Sequence, residues 1–151
     1  MDNSALAPAI VGIFVLVCIV IALVPAIFYL LTLQKTLNKC APGARTMEPG
    51  MVWLLLIPIF GIVWHFLIVT NMAKSLAAEF ARRGVPSPEP TPGQPIGMAM
   101  CICICCGIIP FLGILASLAG LALGIVYWIK IAGYSKLLDV PQAVAPGAPI
   151  A

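Results

Sequence analysis

Charge is what this sequence lacks most. Of 151 residues only 9% are charged, against 62% hydrophobic, where a soluble domain carries about 25% charged residues. Such a composition excludes a water-exposed globule, because soluble monomers tolerate contiguous apolar patches of only a few hundred Å2. Histidine occurs once, as His65, and an imidazole with no sequence-adjacent carboxylate or thiol makes no catalytic pair. No Asp, Glu or Arg interrupts a long apolar run, which argues against proton relays and coupled transport, since both use ionisable groups within the membrane. A Walker loop, an H-E-x-x-H pair and a nucleophile elbow are missing as well, so no enzyme chemistry and no cofactor is expected. The net charge of +3 is accounted for by membrane orientation and implies no nucleic-acid partner.

What the sequence has instead is long apolar runs, with a mean hydropathy of +1.13. Ala9 to Leu33 carries no charge; at about 1.5 Å per residue it exceeds the roughly 30 Å hydrocarbon core, which predicts a spanning helix over 5–34. Only Asp2 precedes it as a charge, and the run is too long for a cleavable leader, so it reads as a retained helix. Pro25 should bend it. Two further runs cover Met51 to Val69 and Ile96 to Ile129. The second holds two helices only if it turns at Ile109-Pro110-Phe111-Leu112-Gly113, which predicts a helical hairpin over 96–138. The expected fold class is therefore an all-α integral membrane protein with three to four transmembrane helices. A single membrane domain, 1–139, precedes a disordered tail, 140–151, that contains Pro141, Pro146 and Pro149.

The basic residues Lys35, Lys39, Arg45, Lys74, Arg82, Arg83, Lys130 and Lys136 all lie outside the apolar runs or at their ends. If Met51 to Val69 crosses the bilayer, the basic loops on either side of it face opposite compartments and the positive-inside bias nearly cancels. If it enters and returns, the whole basic set is cytoplasmic, with the N-terminus outside and the C-terminus inside. Pro58 and Gly61 break this run near its middle, and Trp53 and Trp64 flank the break symmetrically. Both a re-entrant hairpin and a proline-kinked full span, within 49–83, stand on these residues; irregular backbone facing lipid is the physical objection to the first. A weak repeat links the breaks: Leu56-Ile57-Pro58-Ile59-Phe60-Gly61-Ile62 parallels Ile108-Ile109-Pro110-Phe111-Leu112-Gly113-Ile114.

Between the runs, Thr46 reads as an N-cap with Pro49 in the first helical turn. The helix after Gly61 should continue to Arg83 and end at Gly84. Met72, Ala73, Leu76 and Phe80 form an apolar stripe there. Lys74, Ser75, Glu79, Arg82 and Arg83 fall opposite, which predicts a helix at the cytoplasmic surface with a Glu79–Arg83 pair. Residues 84–95, with Pro86, Pro88, Pro90, Pro92 and Pro95, read as an extended spacer.

Cys101, Cys103, Cys105 and Cys106 crowd one apolar helix. Only Cys101 and Cys105 share a face well, so they are the candidate metal ligands; the competing reading is four small apolar side chains. Cys40, in a basic loop, should be the most exposed thiol. Gly120 and Gly124 form a G-x-x-x-G pair that Ala116 extends, a face suited to close approach of another helix, from this chain, a second copy or a membrane-protein partner. Trp53, Trp64, Trp128, Lys130 and Tyr134 read as interfacial anchors that hold the chain in the lipid bilayer.

Two stretches carry a resemblance. One runs from Arg45-Thr46-Met47-Glu48-Pro49-Gly50-Met51-Val52-Trp53-Leu54 through Ile57-Pro58, Val63-Trp64 and Ser75-Leu76 to Glu79-Phe80 and Arg83-Gly84; the other is Val126-Tyr127-Trp128-Ile129-Lys130-Ile131-Ala132-Gly133-Tyr134-Ser135. Together they resemble a group of small, uncharacterised multi-pass bacterial membrane proteins, over roughly Leu33 to Leu138 without the proline spacer. The resemblance implies a bacterial inner-membrane location and no activity; the cysteine run is not part of it. The functional expectation is a non-enzymatic scaffold or accessory subunit, with a passive transporter or channel-like protein built at the broken helices as the alternative.

Overall fold

The computed structural model describes residues 3–57, 59–109 and 112–139, with no side-chain description for 3–5 and 7. Pro58 and Pro110, the expected helix breaks, lie outside the described residues, as do Phe111 and the expected tail, 140–151. All regular elements among the described residues are helical: α1 (Asn3–Lys39), a 3-10 helix (Pro49–Leu56), α2 (Phe60–Arg83), α3 (Gln94–Cys106) and α4 (Gly113–Leu137). Three helices, over Pro8–Lys39, Phe60–Arg83 and Gly113–Leu137, are long and apolar enough to cross a membrane, and α3 is a shorter apolar helix.

The chain divides into two units, Met1–Leu31 and Thr32–Ala151. The first holds most of α1, where the described side chains up to Pro25 are all exposed. Pro25 lies within this helix and leaves the carbonyl of Ile21 without its usual amide partner. The long straight-chain and branched apolar run nevertheless keeps helical geometry on both sides of it.

The second unit is built from two antiparallel hairpins. In the first, the 3-10 helix runs out to Ile57 and α2 returns from Phe60. The pairing is continuous from the turn outward: Gly61 lies against the Leu55 carbonyl, the Trp64 indole donates to the Met51 carbonyl at 2.8 Å, and the Thr46 hydroxyl donates to the Asn71 carbonyl at 3.0 Å. In the second, α3 and α4 pair in the same sense. Gly113 meets Gly107, Gly120 meets Cys103, Gly124 meets Met100 and Tyr127 meets Gly97.

The two turns are alike in detail. The Gly61 amide donates to the Ile57 carbonyl at 2.7 Å, and the Gly113 amide donates to the Ile109 carbonyl at 2.8 Å. In each, a Cβ on the glycine would strike the carbonyl oxygen six residues earlier, at 2.3 Å from Leu55 O and 2.6 Å from Gly107 O. Only glycine permits the returning helix to start this close to the outgoing chain. In the first turn Ile59 sits at φ 66, where a β-branched side chain is an outlier.

The core of this unit lies away from the turns. Ile68, Val69, Met72, Leu76 and Phe80 of α2 are fully buried with Tyr127 and Ile131 of α4, Leu33 and Leu37 of α1, and Val52. At the turns the apolar side chains point outward instead, with Ile59 84% and Ile108 72% exposed. Gly97 marks the tightest crossing. A Cβ there would stand 2.5 Å from the Val69 side chain and 2.9 Å from the Tyr127 ring, so its absence lets α2, α3 and α4 converge.

Two local expectations are corrected by these contacts. Thr46 does not cap a helix; Glu48 occupies the position before Pro49 and makes no side-chain cap, while the Thr46 amide donates to the Ser75 hydroxyl at 3.0 Å. Ser75 and Glu79 are not on a solvent face either. Both are buried, because the 40–47 loop folds over that side of α2 and supplies backbone amides to their oxygens.

Candidate functional site

The end of the second unit opposite the turns gathers its charge. Residues 49–70 and 96–129 contain no Asp, Glu, Lys or Arg; the charged side chains fall on the outer parts of the arms and on the segments joining them. Helix ends converge here, and the C-termini of α1, α2 and α4 leave carbonyls without intrahelical partners. The composition of the ends answers that need with donors.

Glu79 is the centre of the arrangement. Its side chain is wholly inaccessible, and it accepts hydrogen bonds from Arg82 Nη2 at 2.7 Å, Arg82 Nε at 3.0 Å, Arg83 Nε at 2.5 Å and the Ala41 amide at 3.0 Å. A buried carboxylate is tolerated only with such a set of partners. Arg83 then reaches beyond the pair. Its Nη1 donates to the Leu138 carbonyl at 2.7 Å and its Nη2 to the Lys39 carbonyl at 3.0 Å, so one planar guanidinium joins the ends of α1, α2 and α4.

Two further ion pairs surround this centre. Lys39 Nζ donates to the Ser135 carbonyl at 2.8 Å and pairs with Asp139 at 2.7 Å; this lysine holds the Asp139 carboxyl below its ordinary range. In the proline-rich stretch, Glu89 pairs with Lys130 and accepts from the Gly93 amide at 3.1 Å. Lys130 and then that amide lower the Glu89 pKa. The stretch expected to be an extended spacer is thereby pinned to α4.

Cys40 is buried rather than the exposed thiol expected. Its Sγ lies 3.5 Å from the Thr36 carbonyl, and burial pushes the thiol pKa up to about 11, with the Glu79 charge adding to the effect. The thiol is therefore a packed apolar group. Cys18 is the exposed cysteine.

The remaining residues singled out in the sequence take the following places. Trp53 donates to Gln34 Oε1 at 3.0 Å, and Trp128 donates to the Thr32 hydroxyl at 2.9 Å. Trp64 stacks on Phe60 with ring centroids 5.3 Å apart. Tyr134 is buried against Phe80, edge to face at 6.2 Å. Gly120 and Gly124 face α3, where Cβ atoms would lie 3.3 Å from Cys103 Cβ and Met100 Sδ; Ala116, one turn earlier, is half-buried. Cys101 is buried and Cys105 half-buried, and among the described residues no group of three or more His, Cys, Asp or Glu comes together. Gly107, Ile108, Ile109, Gly113, Ile114 and Ser117 border an open groove of about 720 Å3 at the second turn, whose surface is mostly apolar.

Sequence reasoning missed Gly97, Glu89 and the three-way role of Arg83. A lone glycine in an apolar helix and a glutamate among prolines give no pattern to read. The Glu79–Arg83 spacing was readable, but its burial depends on a loop whose path the sequence does not announce. No protein-family model, no curated protein and no solved structure matches the chain.

Proposed function

We propose that this chain is a non-enzymatic scaffold or accessory subunit of the bacterial inner membrane, anchored by α1. On this reading 49–83 forms a re-entrant hairpin that enters and leaves on the cytoplasmic side, the N-terminus lies outside and the C-terminus inside. The observation that supports it best is the division of the first hairpin. Its turn carries exposed Ile57, Ile59 and Phe60 with no polar side chain among them, whereas its open end holds Glu79, Arg82 and Arg83. At about 2.0 Å per residue the 8 residues of the 3-10 arm extend roughly 16 Å, half the hydrocarbon thickness. An apolar turn at that depth is in its preferred solvent. The cost of irregular backbone in lipid is reduced because the turn amide of Gly61 is satisfied internally.

The charged end then presents a basic surface to the cytoplasm, where Lys35, Lys74, Arg82 and Lys136 are exposed and available to a partner or to anionic headgroups. Topology is tested by single cysteines in a background without native thiols. Gly43→Cys and Ser87→Cys, both at exposed positions, should react with an impermeant reagent from the cytoplasmic side only. Reaction from opposite sides would make 51–69 a full span. Stoichiometric co-purification of a second membrane protein from native membranes is the expected sign of the scaffold role; solute flux through liposomes holding this chain alone would replace it with a channel-like function.

A further inference from the structure

We infer that the second hairpin also stops short of the far membrane surface, so that the paired hairpins form a one-sided wedge that senses or produces curvature in the bilayer. This rests on the re-entrant reading of the first hairpin and extends it to α3 and α4.

Three observations carry the inference. The outgoing arm α3 has 13 residues, about 20 Å at helical rise, which falls short of a hydrocarbon core of roughly 30 Å. The returning arm α4 is longer, at 25 residues, but its stretch paired with α3, from Gly113 to Tyr127, covers only about 21 Å, and Lys130 and Lys136 lie beyond it. The described side chains at the turn that α3 leads into are apolar. Ile108 is 72%, Leu112 57% and Ile114 77% exposed, and no charged residue occurs between Ile96 and Ile129. Finally, the mouth of this hairpin is tied to the mouth of the first by Arg83 and Leu138, and by Phe80 and Tyr134, so both hairpins open on the same side.

Four helical arms fill the leaflet bearing the charged ends, whereas only the tips of α3 and α4, about 5 Å of each, reach past the bilayer midplane, so the opposite leaflet does not match the space they occupy. With helices about 10–12 Å across, the excess is roughly 300–450 Å2 in the leaflet bearing the charged ends. A helix that crosses fully adds equally to both leaflets and leaves this difference unchanged. The bilayer accommodates a short insertion by thinning or by bending, and bending relieves the mismatch when the crowded leaflet is on the convex side. The ligand is therefore lipid itself, in the form of a curved surface, and the side on which the wedge sits fixes the sign of the curvature.

The test uses the full chain, fluorescently labelled and reconstituted into giant vesicles from which thin membrane tethers are drawn. Molecules with the charged ends facing outward should be enriched on the tether over the flat membrane by about twofold or more, the ratio that roughly 0.4 kcal/mol per molecule produces. Molecules with the charged ends facing the lumen should be depleted. Equal density on tether and flat membrane in both orientations would overturn the wedge. In a background without native thiols, Ile108→Cys should stay unlabelled by impermeant reagents from either side. Labelling of Ile108→Cys from the far side would overturn the short second hairpin while leaving the first hairpin's topology intact. Opposite-side labelling of Gly43→Cys and Ser87→Cys would instead remove the re-entrant reading and the wedge with it.

Discussion

The two hairpins share a turn but differ in how they are closed at the other end. The first closes on Glu79, whose side chain is wholly buried among two guanidinium groups and a backbone amide. The second closes on Glu89, whose side chain is 32% exposed and meets Lys130, the Gly93 amide and the Tyr134 hydroxyl. The outgoing arms differ too, a 3-10 helix against an α-helix. The contrast teaches where stability resides. On the proposed membrane reading, apolar burial gives no hydrophobic driving force between helices, and close packing with internal polar bonds has to hold them. A hairpin with a looser 3-10 arm and a strained turn is therefore the one with the stronger polar closure.

The largest effect should come from breaking that closure. Glu79→Gln takes the buried carboxylate away from the half-buried Arg83 and the exposed Arg82, and unfolding in detergent micelles should show a loss of about 3 kcal/mol. The turns come next. Gly61→Ala and Gly113→Ala each force a Cβ onto a carbonyl oxygen, at 2.3 Å and 2.6 Å, and each should lose about 1–3 kcal/mol, with Gly61→Ala the worse. Equal losses would show that the second turn is as tightly constrained as the first. Ile59→Gly should act in the opposite direction, raising stability by about 1 kcal/mol as the left-handed strain is relieved; a loss would mean the Ile59 side chain contributes more than its backbone costs.

The smallest effect belongs to the second closure. Glu89→Gln should change stability by less than about 1 kcal/mol. The same pair sets a modest acid sensitivity. Because Lys130 lowers the Glu89 pKa from its ordinary 4.5, the pair's contribution is complete above that value and disappears as pH falls through the lowered one. A titration from pH 7 downward should show the Glu89→Gln variant converging on the parent chain at the acid end.

Much of the architecture was legible because composition and breaker residues act locally. The uncharged run Ala9 to Leu33 specifies an apolar helix by itself, and Gly61 and Gly113 mark the turns because no other residue fits beside Leu55 O and Gly107 O. The weak breaker repeat coincides with one shared feature of the two turns, the amide of Gly61 on the Ile57 carbonyl and that of Gly113 on the Ile109 carbonyl. What escaped was everything set by long-range closure. Polar character makes Ser75 and Glu79 read as solvent-facing, although Glu79, three residues after Leu76 and seven after Met72, flanks the apolar stripe; the 40–47 loop covers both. Glu89 reads as a spacer residue until Lys130, far along the chain, comes to meet it. Cys40 looked exposed because the end of α1 was placed at residue 34, whereas the helix continues to Lys39 and carries Cys40 under the loop.

Arg83 has a consequence for the order of assembly. It is synthesised well before Leu138, yet the carbonyl of Leu138 is one of its three partners. Until α4 arrives, the guanidinium can hold Glu79 and Lys39, but Nη1 lacks the Leu138 carbonyl. The last helix thus acts as a keystone, and a nascent or truncated molecule lacking it keeps an open, hydrated mouth by which an unfinished copy differs from a finished one.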